Sequence, residues 1–132
     1  MSSTSEDQFL AAQESPGGIW YPPPYRLPTN ATSPALASSI VAATGTCRLY
    51  GFVATSTNAA AQFIQVFDRV KIPSNGAIPL FTVNVAAANS VSAYYGSSGR
   101  WMDQGIIICN STTQGTLTLG AADTIFDVQC IP

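Results

Sequence analysis

From Ser38 onward the chain never sustains a helical period. Its apolar residues instead recur at every second position, in short runs cut by turn residues. Cys47–Val53 alternates and is rich in β-branched and aromatic side chains, and Ala61–Asp68 is an apolar run punctuated by glutamine. Ile78–Val85 and Asn89–Tyr95 repeat the period of two, Gly105–Cys109 is an unbroken apolar run, and Thr116–Leu119 and Thr124–Cys130 alternate again. In the last of these, Phe126, Val128 and Cys130 are expected on one face and Asp127 and Gln129 on the other. Turn residues separate the runs: Pro73-Ser74-Asn75-Gly76, Gly96-Ser97-Ser98-Gly99, Gly115 and Gly120. Short strands spaced in this way predict an all-β body over residues 36–132, an antiparallel β-sandwich of jelly-roll or Greek-key type.

The chain changes character near residue 35. Residues 1–35 hold most of its prolines, with Trp20, Tyr21 and Tyr25 among them. Pro22, Pro23 and Pro24 fix φ near −65° and favour an extended polyproline helix, which has no N–H to offer the middle of a sheet. The segment reads as an extended N-terminal arm whose aromatic residues need a surface, either its own body or a neighbour. Fully extended, 35 residues span at most about 115–125 Å, several times the roughly 13 Å radius of gyration of a domain of this size. Trp20, Tyr21, Pro23, Tyr25 and Arg26 are therefore the expected partner-binding residues, with Trp20 and Tyr25 as anchors on a neighbouring subunit or a larger shell. Deleting residues 1–35 is expected to leave the body folded.

Charge narrows the partners. Asp, Glu, Lys and Arg form 9% of the chain, where soluble domains average about 25%. Leu27–Cys47, Ile72–Gly99 and Gln104–Ala122 carry no charge at all. The net charge of −2 and the lack of clustered Lys and Arg argue against nucleic acid. Apolar residues make up 46% of the chain, enough for a core, yet no apolar run reaches the roughly 18 residues of a transmembrane helix. Met1–Leu10 is Ser-rich and acidic, unlike a signal peptide, so folding in a cytoplasm is expected. Cys47, Cys109 and Cys130 read as three buried thiols, with one disulfide or a metal site as alternatives. The absence of histidine and of any C-x-x-C spacing argues against zinc, and no cofactor or metal is expected.

Enzymatic chemistry is poorly served. Without histidine the usual general base and the Ser or Cys triads are missing. Asp123 and Asp127, four apart on one strand face, would be roughly 13 Å apart at about 3.3 Å per residue, too far for a glycosidase pair. Gly96-Ser97-Ser98-Gly99 is a turn, not a phosphate cradle. Asp68 and Arg69 read as turn or salt-bridge residues. Arg100 and Trp101 form a candidate surface platform for a sugar or a neighbour, against the alternative of a half-buried Trp under an Arg lid. Asn30-Ala31-Thr32 and Asn110-Ser111-Thr112 match the glycosylation pattern, a chance match in a cytoplasmic chain.

Several quoted stretches together, Phe63–Asp68, Ile72–Pro79, Gly99-Arg100, Gly105–Ile108, Ser111–Thr113, Thr118–Gly120 and Asp123–Asp127, resemble a group of small virion proteins of tailed bacteriophages. The resemblance covers about residues 47–131 and omits the arm. It implies a β-sandwich module of a virion, assembled in a bacterial cytoplasm, used as a capsid decoration (cement) protein or in a tail, baseplate or fibre. The arm favours the cement role, with the major capsid protein or another virion protein as partner, and with a homo-oligomer such as a trimer. The alternative is a tail, baseplate or fibre module binding host glycan through Trp101, Tyr94 and Tyr95. A small enzyme is the third and least supported reading.

Overall fold

The structure is a computed structural model that describes residues 27–131. Among these residues there is no helix. Nine strands form two antiparallel sheets. The first sheet has the order β1 (Thr29–Thr32), β9 (Thr124–Ile131), β3 (Cys47–Ser56), β6 (Ser90–Tyr94), with β7 (Arg100–Met102) also pairing β3. The second has the order β2 (Ser39–Ala43), β8 (Ile106–Ser111), β4 (Gln62–Phe67), β5 (Phe81–Val85). The core lies between them and includes Leu49, Phe52, Ile64, Val66, Ile106, Ile108, Phe126 and Val128. β9 carries the alternation its sequence predicts: Phe126, Val128 and Cys130 are buried, and Gln129 is exposed.

β3 departs from simple alternation. Cys47 and Leu49 face the core, but so do Phe52, Ala54 and Ser56. The parity changes because the register with β9 shifts between Leu49 and Gly51. A bulge at this point adds one residue, so the two halves of one strand face the same way. Gly51 is required there, since a Cβ would stand 2.5 Å from the carbonyl oxygen of Ala93.

β8 is buried along its whole length. Its second face is covered by a small cluster in which Ile107 and Cys109 pack with Phe67 and Leu117. Thr116–Leu119, read from sequence as a strand, supplies that cover and meets the second sheet only through an isolated bridge of Leu119 to Ser111. Its backbone is engaged elsewhere: Leu117 exchanges hydrogen bonds with Gly76 and Ala77, at 2.7 and 2.8 Å, and Thr118 N donates to Ser111 Oγ at 3.0 Å. The fully buried Gln65 holds the neighbouring turn, its Nε2 donating to the carbonyls of Thr113 and Gln114, each at 2.9 Å.

The sandwich also begins earlier than the sequence suggests. β1 lies inside the segment assigned to the arm, and it pairs with β9 from Thr29 opposite Cys130 to Thr32 opposite Asp127. Ser33 then locks it, its Oγ accepting from Phe126 N at 2.9 Å. The boundary at residue 35 is thus corrected: residues 29–35 are part of the first sheet or its immediate lead-out.

The three cysteines are buried free thiols. Burial pushes the Cys109 thiol up to about 12; burial, with the negative potential of Cys130 and Asp68 added, pushes Cys47 up to about 11. At about pH 8 a thiol reagent should react with the native thiols on the order of 100-fold more slowly than with the urea-unfolded chain. Ellman titration with and without urea measures this, and one rapidly reacting thiol in the native protein would contradict it.

Candidate interaction surface

The outer face of the first sheet is built by cross-strand register. Arg48 stands opposite Trp101, Gly51 opposite Tyr94 and Gln129, and Val53 opposite Ser92 and Asp127. Tyr94 is 76% exposed, Trp101 55% and Val53 44%. Because Gly51 has no side chain, a cleft of about 140 Å³ opens over it, walled by Val53, Tyr94, Asp127 and Gln129. Trp101 lies three residues away along β3, roughly 10 Å at strand rise. The face holds large apolar groups in water, as association surfaces do, with Arg48 and Asp127 standing among them.

Trp101 is held in place by a chain of polar contacts. The Arg48 guanidinium lies 5.7 Å from the indole ring centroid and donates to Ser98 O at 3.0 Å. The indole Nε1 donates to Asp103 Oδ1 at 2.7 Å. The turn that carries Asp103 is fixed by Asp68 at the end of β4, whose carboxylate accepts from the backbone N–H groups of Asp103, Gln104 and Gly105 at 3.0, 2.8 and 3.2 Å. Gly105 has no room for a side chain, because a Cβ would meet Ala43 O at 2.5 Å and Arg69 O at 2.8 Å. Burial alone would raise the Asp68 pKa. The three N–H donors and the nearby Arg100 charge outweigh it and hold the carboxyl below its ordinary range.

A folded-state value below the unfolded one stabilises the fold above the ordinary carboxylate range, and the gain is lost as pH falls through the lowered value. Asp68→Asn should therefore cost about 1–2 kcal/mol near neutral pH, as charge-assisted bonds weaken. The gap to the parent should narrow as pH falls through the lowered Asp68 value and the parent's carboxylate is protonated. Urea midpoints of both proteins at neutral and at acid pH test this, and an undiminished gap in acid would show that the carboxylate charge is not what holds the turn.

The structure does not bring Arg100 and Trp101 together as a platform. Neighbours in a strand point to opposite sides, so Trp101 faces outward while the Arg100 guanidinium lies 4.9 Å from the ring centroid of Phe81 on β5. The cation over Trp101 is Arg48, its cross-strand partner. Tyr95 likewise turns inward and stacks on Phe81, with centroids 5.0 Å apart and planes at 22°, away from Tyr94. Burial raises the Tyr95 hydroxyl pKa, against the opposing influence of Arg100. The arm residues Trp20, Tyr21, Pro23, Tyr25 and Arg26 lie outside the described residues. Sequence reading missed Arg48, Gly51, Val53 and Asp103. Only register places them, although the period of two would have separated Arg100 from Trp101.

A second polar cluster closes one end of the sandwich. Asp123 accepts from Asn58 Nδ2 at 2.6 Å and Asn110 Nδ2 at 2.8 Å, and Asn110 Nδ2 also reaches Thr124 Oγ1 at 2.8 Å and Ala121 O at 2.9 Å. Asp123 thus sits among donors in the loop before β9, and not on the strand face with Asp127. Asn110 is fully buried, so its glycosylation pattern offers no acceptor in the folded chain. A wider depression of about 580 Å³, lined by residues 68–74 and Gln104, is formed by the loop that Asp68 anchors.

Comparisons with protein-family models, with curated proteins and with solved structures found no match to this chain.

Proposed function

We propose that this chain is a non-enzymatic structural part of a bacteriophage virion, a capsid decoration protein that binds the major capsid protein and copies of itself. The observation that carries the reading is the outer face of the first sheet, where Tyr94, Trp101 and Val53 stand exposed in water. The side chains of Asp68, Asn110, Gln65 and Asp123 are by contrast engaged in holding turns and strand ends, whereas the aromatic side chains of this face are open to a partner.

The strand pairing supports a jelly-roll reading. With β7 set aside, β1 pairs β9, β2 pairs β8, β3 pairs β6 and β4 pairs β5, the winding of one long antiparallel ribbon. Jelly rolls serve viral capsids and lectins alike, and fold by itself does not choose between them. The exposed Trp101 beside Asp103 favours, as a second reading, a tail or fibre module that stacks a host sugar on the indole. Its weakness is that Arg48 already lies over that ring.

Quantitative mass spectrometry of purified particles separates the readings. Hundreds of copies per particle are expected for a decoration protein, and a few to a few dozen for a tail part. A chain absent from the particles overturns both.

A further inference from the structure

The cleft over Gly51 and the proline-rich segment of this same chain have complementary chemistry. Segments that favour a polyproline helix dock on aromatic-lined grooves, because a stiff ridge of rings packs on flat aromatic faces with little entropy left to lose. Tyr94 and Trp101 stand roughly 10 Å apart along β3. Pro22, Pro23 and Pro24 would span about 9 Å at 3.1 Å per residue. Its three consecutive prolines offer no N–H for edge pairing, so a face suits the segment better than a sheet edge. Asp127 in the cleft and Asp103 beside Trp101 place carboxylates at the surface where Arg26, at the end of the segment, would bring its cation.

We propose that this cleft is the socket for the Trp20–Arg26 segment of a neighbouring copy, linking subunits arm to cleft. The inference rests on the assembly reading above and names its contact. The neighbour is favoured over the same subunit by the way the chain enters the fold. β1 is the edge strand, with β9 and β3 between it and β6. Leu27, just before it, is 63% exposed, and Pro28 restricts Leu27 to extended backbone. Leu27 and Pro28 therefore lead into β1 along the strand direction. To reach the cleft over Gly51 of its own subunit, a segment rich in prolines would have to turn back sharply and cross β9.

The test is sedimentation velocity on the full chain and on two full-length double variants. One carries Val53→Ser and Tyr94→Ser in the cleft, the other Trp20→Ser and Tyr25→Ser in the arm. All four positions lie outside the buried core clusters or outside the described residues, and urea midpoints verify that the folds are intact. The parent chain is expected to self-associate, and each variant to do so at least tenfold more weakly. An equimolar mixture of the two variants should form heterodimers, because one intact arm then meets one intact cleft. A parent that stays monomeric, variants that associate as tightly as the parent, or a mixture that forms no heterodimer each overturn the proposal. The copy count in particles is independent of these outcomes. Hundreds of copies of a chain without arm-to-cleft association would sink this contact and leave the assembly reading standing. Arm-to-cleft oligomers of a chain absent from particles would do the reverse.

Discussion

Asn110→Ala lowers the unfolding free energy by about 3–4 kcal/mol, a large part of the roughly 5–15 kcal/mol that holds a typical domain together. The expectation follows from what the side chain does. Asn110 is fully buried near the end of β8, and its Nδ2 serves the carboxylate of Asp123, the hydroxyl of Thr124 and the carbonyl of Ala121. Truncation leaves those acceptors without that donor, in a site closed by Gly120, and an acceptor that carries charge is costly to leave unmet. The carbonyl oxygen Oδ1 of Asn110 has no hydrogen-bond partner, so its burial already costs something that the substitution removes. That offset keeps the estimate below the sum of the lost bonds. Urea unfolding followed by far-ultraviolet circular dichroism measures the change. A cost under about 1 kcal/mol would mean that water replaces the amide and that the cluster is not closed.

Removing residues 1–26 should leave a cooperatively folding body, whereas removing residues 1–35 should cost about 3–5 kcal/mol and promote aggregation. The sequence alone placed the arm's end at residue 35 and expected the longer deletion to leave the body folded while abolishing its binding to the assembly. The structure moves the cut, because β1 supplies the ladder along β9, and Ser33 contributes two bonds to the backbone of Phe126, Oγ accepting from N and N donating to O, both at 2.9 Å. Without β1, a strand that carries Phe126 and Val128 into the core becomes an unpaired edge, free to pair with another molecule. Urea midpoints and light scattering of the two truncations decide it. Equal midpoints would show that β1 is dispensable.

Much of the fold was legible because side-chain period and turn chemistry are local. The alternation of Thr124–Cys130, the glutamine-marked run at Gln62–Phe67 and the apolar run at Ile106–Cys109 each name a strand without reference to the rest of the chain. β1, β2 and β7 were not read as strands. Thr-Asn-Ala-Thr and Ser-Ile-Val-Ala-Ala show no apolar–polar alternation, and Arg-Trp-Met is too short to show a period. These strands exist because a neighbour offers a ladder, and such tertiary pairing overrides propensity.

The candidate surface was less legible for the same reason. Trp101 was picked out as a large aromatic beside a cation, but the cation over it is Arg48, more than fifty residues earlier, delivered by antiparallel register. The bulge at Gly51 is a further case. One extra residue in β3 returns Phe52 to the core and leaves Arg48, Gly51 and Val53 on one outer face, and no local pattern announces it. By itself the sequence determined that the body is made of strands, that its thiols suit burial and that its prolines gather toward one terminus, with Trp20, Tyr21 and Tyr25 among them. These follow from the chemistry of each residue and its nearest neighbours. Which residues meet across strands, which face they share and where the surface is left open were decided only by the tertiary structure, because register between distant strands is set by packing the whole core at once.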